Sequence, residues 1–187
     1  MCRPGSRSSS AGGGTARARA ARLIHEHKVF ANGNSYKGTW LDHRMHGEGL
    51  YTWSDGSEYA GEFREGSIWG QGQKRWPNGR RYQGEWVRDM MWGEGEMIWP
   101  SGETFTGQFR KGVFHGKGTR VWPNGDWYAG DFDNGEQDGE GMFESAVDGW
   151  VYSGQWRRGC MGGEGRVDWP SGISYVGDWV DGVREGQ

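Results

Sequence analysis

Aromatic residues recur along this chain with a period of 23 residues, broken once by a step of 24. A tyrosine or phenylalanine opens each period, at Tyr36, Tyr59, Tyr82, Phe105, Tyr128, Tyr152 and Tyr175. Glycine follows two residues later and a second aromatic residue two after that, as in Tyr82, Gly84 and Trp86. Alternate positions of an extended chain share one face, so this spacing predicts a β-strand with one aromatic face.

The second half of each period alternates in the same way and predicts a second strand. In the third period it contains Gly93, Gly95 and Trp99. Two of the periods end in Trp-Pro-Asn-Gly, at residues 76–79 and 122–125. Proline fixes φ at the first turn position and glycine accepts a positive φ, which favours a type I turn followed by a glycine bulge. Each period is therefore predicted to form a β-hairpin.

A hairpin repeated at a fixed period is typical of repeat proteins, in which each unit contacts only its neighbours. We predict an all-β fold: an elongated, single-layer antiparallel sheet of tandem 23-residue β-hairpin repeats, with about 13 or 14 strands. Half a repeat lies at residues 29–35, full repeats start at residues 36, 59, 82, 105, 128 and 152, and a truncated repeat covers residues 175–187. The truncation indicates either a longer protein or a last strand that pairs with a partner. One extra residue between Gly141 and Gly149 predicts a bulge or a longer loop in the fifth repeat.

Glycines within the strands are expected to leave room for neighbouring rings to lie over bare backbone. The residues predicted to build the sheet in this way are Tyr36, Gly38, Trp40, Tyr59, Gly61, Tyr82, Gly84, Trp86, Gly93, Gly95, Trp99, Tyr152, Gly154 and Trp156.

Charge is distributed unevenly along the chain. The formal net charge is −3, but residues 1–25 hold five arginines and no acidic residue. We predict that residues 1–25 form a disordered basic tail, with an organelle transit peptide as the alternative, and that the array spans residues 26–187. The array is acidic, which disfavours binding to nucleic acid and allows at best weak contact with anionic phospholipid.

The sequence contains few candidates for catalytic, metal-binding or cofactor-binding residues. The two cysteines, Cys2 and Cys160, have no partner at metal-ligand spacing, and they favour a reducing intracellular compartment. The Gly-x-Gly pairs lack the third glycine and the helix of a dinucleotide site. His46 and His115 occupy equivalent repeat positions, which indicates a structural role. No nucleophile and base can be paired, and no segment approaches the ~18 apolar residues of a membrane span. We expect no enzymatic activity, no metal, no cofactor and no transmembrane segment.

Residues just before each Gly-x-Gly pair vary between repeats and are apolar or aromatic in the first four. They are Met45, His46, Ile68, Trp69, Met91, Trp92, Phe114 and His115. We place them in the turn inside each repeat, where they either cover the aromatic face or form an apolar rim that binds a partner helix or extended peptide. A partial basic row accompanies them and could orient an acidic partner or a lipid head group, or remain a solvated edge. It consists of Arg64, Arg88, Arg110, Lys111, Arg157 and Arg158.

The frame Tyr-x-Gly-x-Trp followed by Gly-x-Gly resembles the membrane occupation and recognition nexus (MORN) repeat, over residues 29–187. The resemblance implies a cytoplasmic scaffold near the cytoskeleton, a cilium or the membrane cortex, with phospholipid contacts. We therefore expect a non-catalytic scaffold that presents an aromatic groove to a partner protein. The alternatives are a regulatory segment of a larger enzyme, such as a phosphatidylinositol phosphate kinase, and a peripheral phospholipid-binding module.

Overall fold

A computed structural model describes residues 22–185 as one open antiparallel sheet. Its strands are β1 (Leu23–Val29), β2 (Ser35–Leu41), β3 (Arg44–Thr52), β4 (Glu58–Arg64), β5 (Ser67–Arg75), β6 (Arg81–Val87), β7 (Met90–Ile98), β8 (Thr104–Arg110), β9 (Val113–Val121), β10 (Trp127–Asp133), β11 (Glu136–Glu144), β12 (Val151–Arg157), β13 (Cys160–Asp168), β14 (Ser174–Val180) and β15 (Val183–Glu185). Each strand pairs with the next in the chain. The predicted fold is confirmed, with 15 described strands instead of 13 or 14.

The sheet begins earlier than the sequence indicated. Strand β1 starts at Leu23, so residues 23–25 belong to the sheet and not to the tail that we had assigned to residues 1–25. Its full length pairs with β2, from Leu23 opposite Leu41 to Val29 opposite Ser35, and this pairing extends the strand beyond the aligned half repeat. The rest of the tail, with its transit-peptide alternative, and the final residues 186 and 187 lie outside the described residues.

Turns between repeats have the predicted geometry. The Gly79 N–H donates to the Trp76 carbonyl at 2.9 Å, and the Trp76 N–H donates to the Arg80 carbonyl at 2.9 Å. Gly79 has a φ of 87°, the left-handed conformation of the glycine bulge. The hairpin prediction is confirmed at these turns.

The fifth repeat has the longer loop that its extra residue predicted. The Ser145 N–H reaches the carbonyl of Trp150, five residues on, where the other turns span four. Ser145 stands where other repeats have tryptophan, and Trp150 from the loop packs against Phe143 with ring centroids 5.0 Å apart. The inserted loop therefore restores the aromatic contact that the serine position lacks.

Turns inside each repeat differ from the prediction. In the third repeat the turn consists only of Arg88 and Asp89, whose φ values are 51° and 66°, as in a type I′ hairpin. Val87 pairs with Met90, so Met90 already lies at the start of β7. The placement of the variable pairs inside the turn was therefore wrong. They lie at the start of the second strand of each repeat because a two-residue turn matches the strand twist.

The Gly-x-Gly pairs serve two purposes. The first glycine, Gly93, has a φ of 59° at a bulge where the pairing shifts register beyond Gly84. The second, Gly95, lies under the ring of Tyr82: a Cβ at this position would be 2.5 Å from Tyr82 Oη and 2.7 Å from the ring. The Tyr82 hydroxyl donates to the Glu85 carbonyl at 3.0 Å. The expectation that rings cover the glycines of adjacent strands is confirmed.

Ring contacts connect one repeat to the next. Tyr82 meets Trp86 of its own repeat edge to face at 5.1 Å and Phe109 of the following repeat at 4.9 Å. The same arrangement joins Tyr36 to Phe63 and Tyr128 to Trp156. The core is thus a continuous ladder of rings on one face of a single sheet, in the edge-to-face geometry that aromatic pairs prefer.

Gly95→Ala should destabilise the protein strongly, by about 3 kcal/mol, because a methyl group would collide with the buried Tyr82 ring. Gly102→Ala is the control, because Gly102 has a φ of 89° but no atom near a new Cβ, and about 1 kcal/mol is expected for backbone strain alone. Chemical denaturation measures both. Equal effects of the two substitutions would contradict the packing role of Gly95.

Alkaline pH should unfold the sheet. Burial raises the pKa of Tyr36 and of Tyr152 to about 12, and it raises the pKa of Tyr59, Tyr82 and Tyr128 further. Unfolded tyrosines ionise near pH 10, so the unfolded state loses its protons first. The contribution of these tyrosines to the free energy of unfolding is fully present below pH 10 and should fall progressively between about pH 10 and 12.

Denaturant midpoints measured across this pH range test the prediction. Tyr128→Phe is the matched variant, since Phe105 already holds the equivalent position. Its free energy of unfolding should decline less steeply with pH than that of the wild type, and the two slopes should differ by about 1.4 kcal/mol per pH unit. A midpoint that stays constant from pH 10 to 12 would show that tyrosine burial does not set the alkaline limit.

Candidate functional site

The variable pairs at the start of the second strands are divided between the two faces of the sheet. The first members, Met45, Ile68, Met91 and Phe114, pack against the aromatic core. Ile68 is only 5% exposed and lies opposite Phe63. The pairs therefore do not form one contiguous apolar rim, because successive residues of a strand point to opposite faces.

The second members, His46, Trp69, Trp92 and His115, are half-buried, and the strand alternation places them on the face opposite the core. Here the structure brings two predicted groups together. The Arg64 guanidinium lies 5.2 Å from the Trp69 ring, and Arg110 Nη1 lies 3.4 Å from His115 Nε2. We call this edge the turn-edge strip, and it consists of Arg64, Trp69, Arg88, Trp92, Arg110, Lys111 and His115.

Among the second members of the pairs and the basic row, three residues lie outside the strip. His46 precedes it in the first repeat, where Leu41 occupies the position of Arg64. Arg157 and Arg158 follow it in the sixth repeat, and the Arg158 N–H donates to Asp138 at 3.2 Å. Asp138 stands where the earlier repeats have Trp69 and His115, so the aromatic part of the strip ends after the fourth repeat.

Two pockets open between neighbouring turns along the strip. The pocket between the second and third repeats has a volume of about 440 Å³ and is lined by Arg64, Glu65, Ser67, Trp69 and Arg88. The pocket between the fourth and fifth repeats has a volume of about 330 Å³ and is lined by Arg110, Lys111, Val113, His115, Asp133 and Asn134. The two are separated by 46 residues, so they occupy equivalent positions two repeats apart.

Hydrogen bonds to the preceding repeat hold the turns of the second and later repeats in place. The Gly112 N–H donates to the Met91 carbonyl at 2.9 Å. In the third repeat, the Asp89 N–H donates to the Ile68 carbonyl at 3.1 Å, and the Asp89 carboxylate accepts the Ile68 N–H at 2.8 Å. These bonds offset the cost of a positive φ at a residue that is not glycine.

Acidic side chains next to the strip are turned onto the backbone. The Glu62 carboxylate accepts the Gln71 N–H at 2.9 Å, and the Asp131 carboxylate accepts the Glu140 N–H at 3.0 Å. Each covers the bulge glycine of the neighbouring strand. These carboxylates satisfy backbone groups that the bulge leaves unpaired.

The aromatic face, by contrast, is closed by the protein's own cations. Lys74 Nζ lies 4.1 Å from the Trp53 ring and 5.2 Å from the Trp76 ring, and burial lowers the pKa of Lys74. Arg120 lies over Trp122 and pairs with Glu103 at 2.7 Å. At Trp53, Trp76 and Trp122, side chains of this chain therefore cover the aromatic groove that we expected to bind a partner.

One half-buried aromatic residue of this face was not predicted from the sequence. Trp127 lies on the face opposite the core, and its Nε1 donates to the Glu144 carboxylate at 3.2 Å. Its repeat position is held elsewhere by Arg81, Thr104 and Val151, so a comparison position by position would have found it.

Within residues 22–185, no cluster of three or more His, Cys, Asp or Glu side chains could hold a metal ion. That part of the chain also contains no helix long and apolar enough to cross a membrane.

The hydrogen bond from Ile68 to Asp89 should contribute measurably to stability. Asp89→Ala removes this bond and keeps the positive φ, so the free energy of unfolding should fall by about 2 kcal/mol. Asp89→Gly removes the bond but relieves the strain, and its effect should be less than half as large. Thermal or chemical denaturation distinguishes the two. Equal losses would show that the positive φ at this position costs no measurable strain, and the absence of any loss would show that the bond from Ile68 to Asp89 does not stabilise the fold.

Comparisons with known proteins identify the family. The family model of the MORN repeat matches residues 36–58, 59–80, 82–104, 105–127, 128–147, 152–174 and 175–187. No curated protein sequence matches the chain.

Three solved structures are similar to this chain at low sequence identity. The TCP domain of SAS-4 (dCPAP) of Drosophila melanogaster, in complex with a proline-rich motif of Ana2 (dSTIL), is 15% identical, with 94% of this chain and 97% of that chain covered and a TM-score of 0.49. The TCP10c domain of Drosophila melanogaster Sas-4 is 11% identical, with 83% and 97% covered and a TM-score of 0.44. The G-box domain of the microcephaly protein CPAP is 16% identical, with 90% and 98% covered and a TM-score of 0.39. The seven matched repeats cover nearly all of residues 36–187, and the chain therefore belongs to the MORN repeat family.

Proposed function

We propose that this chain is a non-catalytic protein-interaction module, a stiff scaffold whose turn-edge strip binds a helix or an extended peptide. One observation carries the proposal: Trp69 and Trp92 lie one repeat apart on the face that does not build the core, and Arg64 lies over the Trp69 ring. The hydrophobic core does not require them there. Tryptophan and arginine are the residues that most often dominate protein interfaces.

The spacing of the strip restricts the shape of the partner. Equivalent positions in successive repeats are two strands apart, about 9.6 Å. Residues i and i+7 of an α-helix are about 10.5 Å apart and lie on nearly the same side. Residues i and i+3 of a polyproline-type segment are about 9.3 Å apart and also share one side. In a β-strand, residues i and i+3 point to opposite faces. The partner is therefore a helix with contacts every seven residues or a polyproline-type extended segment.

A protein partner fits the charges better than a membrane surface. The strip is basic, but Glu62, Glu85 and Glu94 lie on the same face. These carboxylates repel an anionic bilayer over its whole area, whereas a narrow polypeptide can follow the basic edge alone. By its family, the module would act in the cytoplasm, at the cytoskeleton, a cilium or the membrane cortex.

Replacing both half-buried tryptophans of the strip tests the proposal. The full-length chain and its Trp69→Ser/Trp92→Ser variant are used to capture proteins from a cell extract, and partners specific to the wild type are purified. The double variant should bind such a partner at least about tenfold more weakly, as the loss of one interface anchor predicts.

Trp127→Ser is the matched control, since it removes a tryptophan from the same face outside the strip. It should leave partner binding unchanged. The melting temperatures of the variants establish that each one folds. If a folded double variant binds every partner as tightly as the wild type, the turn-edge strip is not the interface.

A further inference from the structure

We propose that the pocket between the second and third repeats binds the carboxylate of an acidic side chain on the partner polypeptide. The inference rests on the proposed function, because it assigns one anchor point within the same interface. It names Arg64 and Arg88 as the groups that bind the carboxylate, and Trp69 as the residue that positions Arg64.

Arg64 is presented to the pocket without a partner of its own. Among residues 22–185, neither Arg64 nor Arg88 lies within 4.0 Å of a carboxylate oxygen. The guanidinium of Arg64 lies 5.2 Å from the Trp69 ring, a cation–π contact that restricts its motion. An arginine held in this way loses little freedom on binding and can offer two parallel N–H groups to a carboxylate.

The equivalent pocket two repeats on already contains a carboxylate. There Asp133 Oδ1 lies 3.2 Å from His115 Nδ1, and His115 in turn lies 3.4 Å from Arg110. Arg110 and His115 stand exactly 46 residues beyond Arg64 and Trp69. The fold itself therefore shows which chemical group this kind of pocket accommodates.

In the first pocket, the residue at the position of that aspartate is uncharged. The residue equivalent to Asp133 is Val87, and the residue equivalent to Asn134 is Arg88. Glu65 stands where the second pocket has Lys111, so each pocket holds two cations and one carboxylate. The first pocket differs in that no acid occupies the position of Asp133, next to its Arg64 and Trp69, and a cation, Arg88, replaces Asn134. A partner's carboxylate would supply the missing group.

Charge also distinguishes a carboxylate from a phosphate. The pocket is lined by Arg64 and Arg88 together with Glu65, which leaves a net charge of about +1 at neutral pH. A single carboxylate matches this charge. A phosphate group carries between one and two negative charges and presents more oxygens, so Glu65 would repel it more strongly.

Nuclear magnetic resonance of the full-length chain tests the proposal with N-acetylglutamate α-methylamide, which has one carboxylate. The Trp69 indole resonance should shift and saturate as the probe concentration rises. The expected dissociation constant is on the order of 10 mM, which corresponds to the binding free energy of one charge-assisted contact. N-acetylglutamine α-methylamide, its neutral counterpart, should cause no saturable shift.

Two substitutions should abolish the response by different means. Arg64→Gln removes a cation, and Val87→Asp supplies an internal carboxylate like that of Asp133. The reverse substitution, Asp133→Val, should open the second pocket, so that the probe then shifts the His115 ring resonances. Arg157→Gln, at the position equivalent to Arg64 four repeats on, should leave the Trp69 response unchanged.

The proposal is overturned if the neutral probe shifts Trp69 equally, if the folded Val87→Asp variant still responds, or if no shift appears at about 100 mM probe. It is also overturned if vesicles containing phosphatidylserine or a phosphoinositide bind through Arg64 and Arg88 while the carboxylate probe does not. If the double tryptophan variant loses its partner but the probe fails, the interface stands and only the carboxylate assignment falls.

Discussion

The fold depends on aromatic rings lying flat on bare glycine backbone. Most domains bury their core between two layers of secondary structure, but here a single sheet buries Tyr82 to 1% exposure. This is possible because Gly84 and Gly95 leave space for the ring, and because the rings of adjacent repeats meet edge to face. The Tyr82 hydroxyl also finds a backbone acceptor, so burial leaves no polar group unpaired. Each repeat therefore carries its own portion of core and shares it with its neighbours.

Because one face is occupied by this core, the opposite face and the turns are left for recognition. The turns are well fixed, since from the second repeat onward the backbone of the turn donates a hydrogen bond to the preceding repeat, as Gly112 does to Met91. Side chains at the turn edge are consequently held at a regular spacing. Under the proposed function, a surface of this kind selects partners by the repeat distance of their contacts as much as by their chemistry.

The repeats differ from one another at equivalent positions, and these differences distinguish one part of the array from the next. Arg64 and Arg110 lie at the same position in repeats two and four, yet only the second pocket has an ion pair, between His115 and Asp133, because Val87 stands at the position of Asp133 in the first. The same applies to tryptophan: Trp86 builds the core, whereas Trp127 lies on the opposite face and bonds to Glu144. Regular repeats thus provide the stability, and departures from the repeat indicate where binding is specific.

The 23-residue period, the aromatic strand face, the turn between repeats and the role of the glycines all follow from local spacing, so the sequence alone determined them. The turn inside each repeat could not be located in this way. Arg88 and Asp89 adopt positive φ values without glycine because Asp89 bonds to Ile68, 21 residues earlier, and that contact exists only in the folded sheet. Since a shift of one residue exchanges the two faces of a strand, only the tertiary structure could place Met91 on the core and Trp92 on the opposite side.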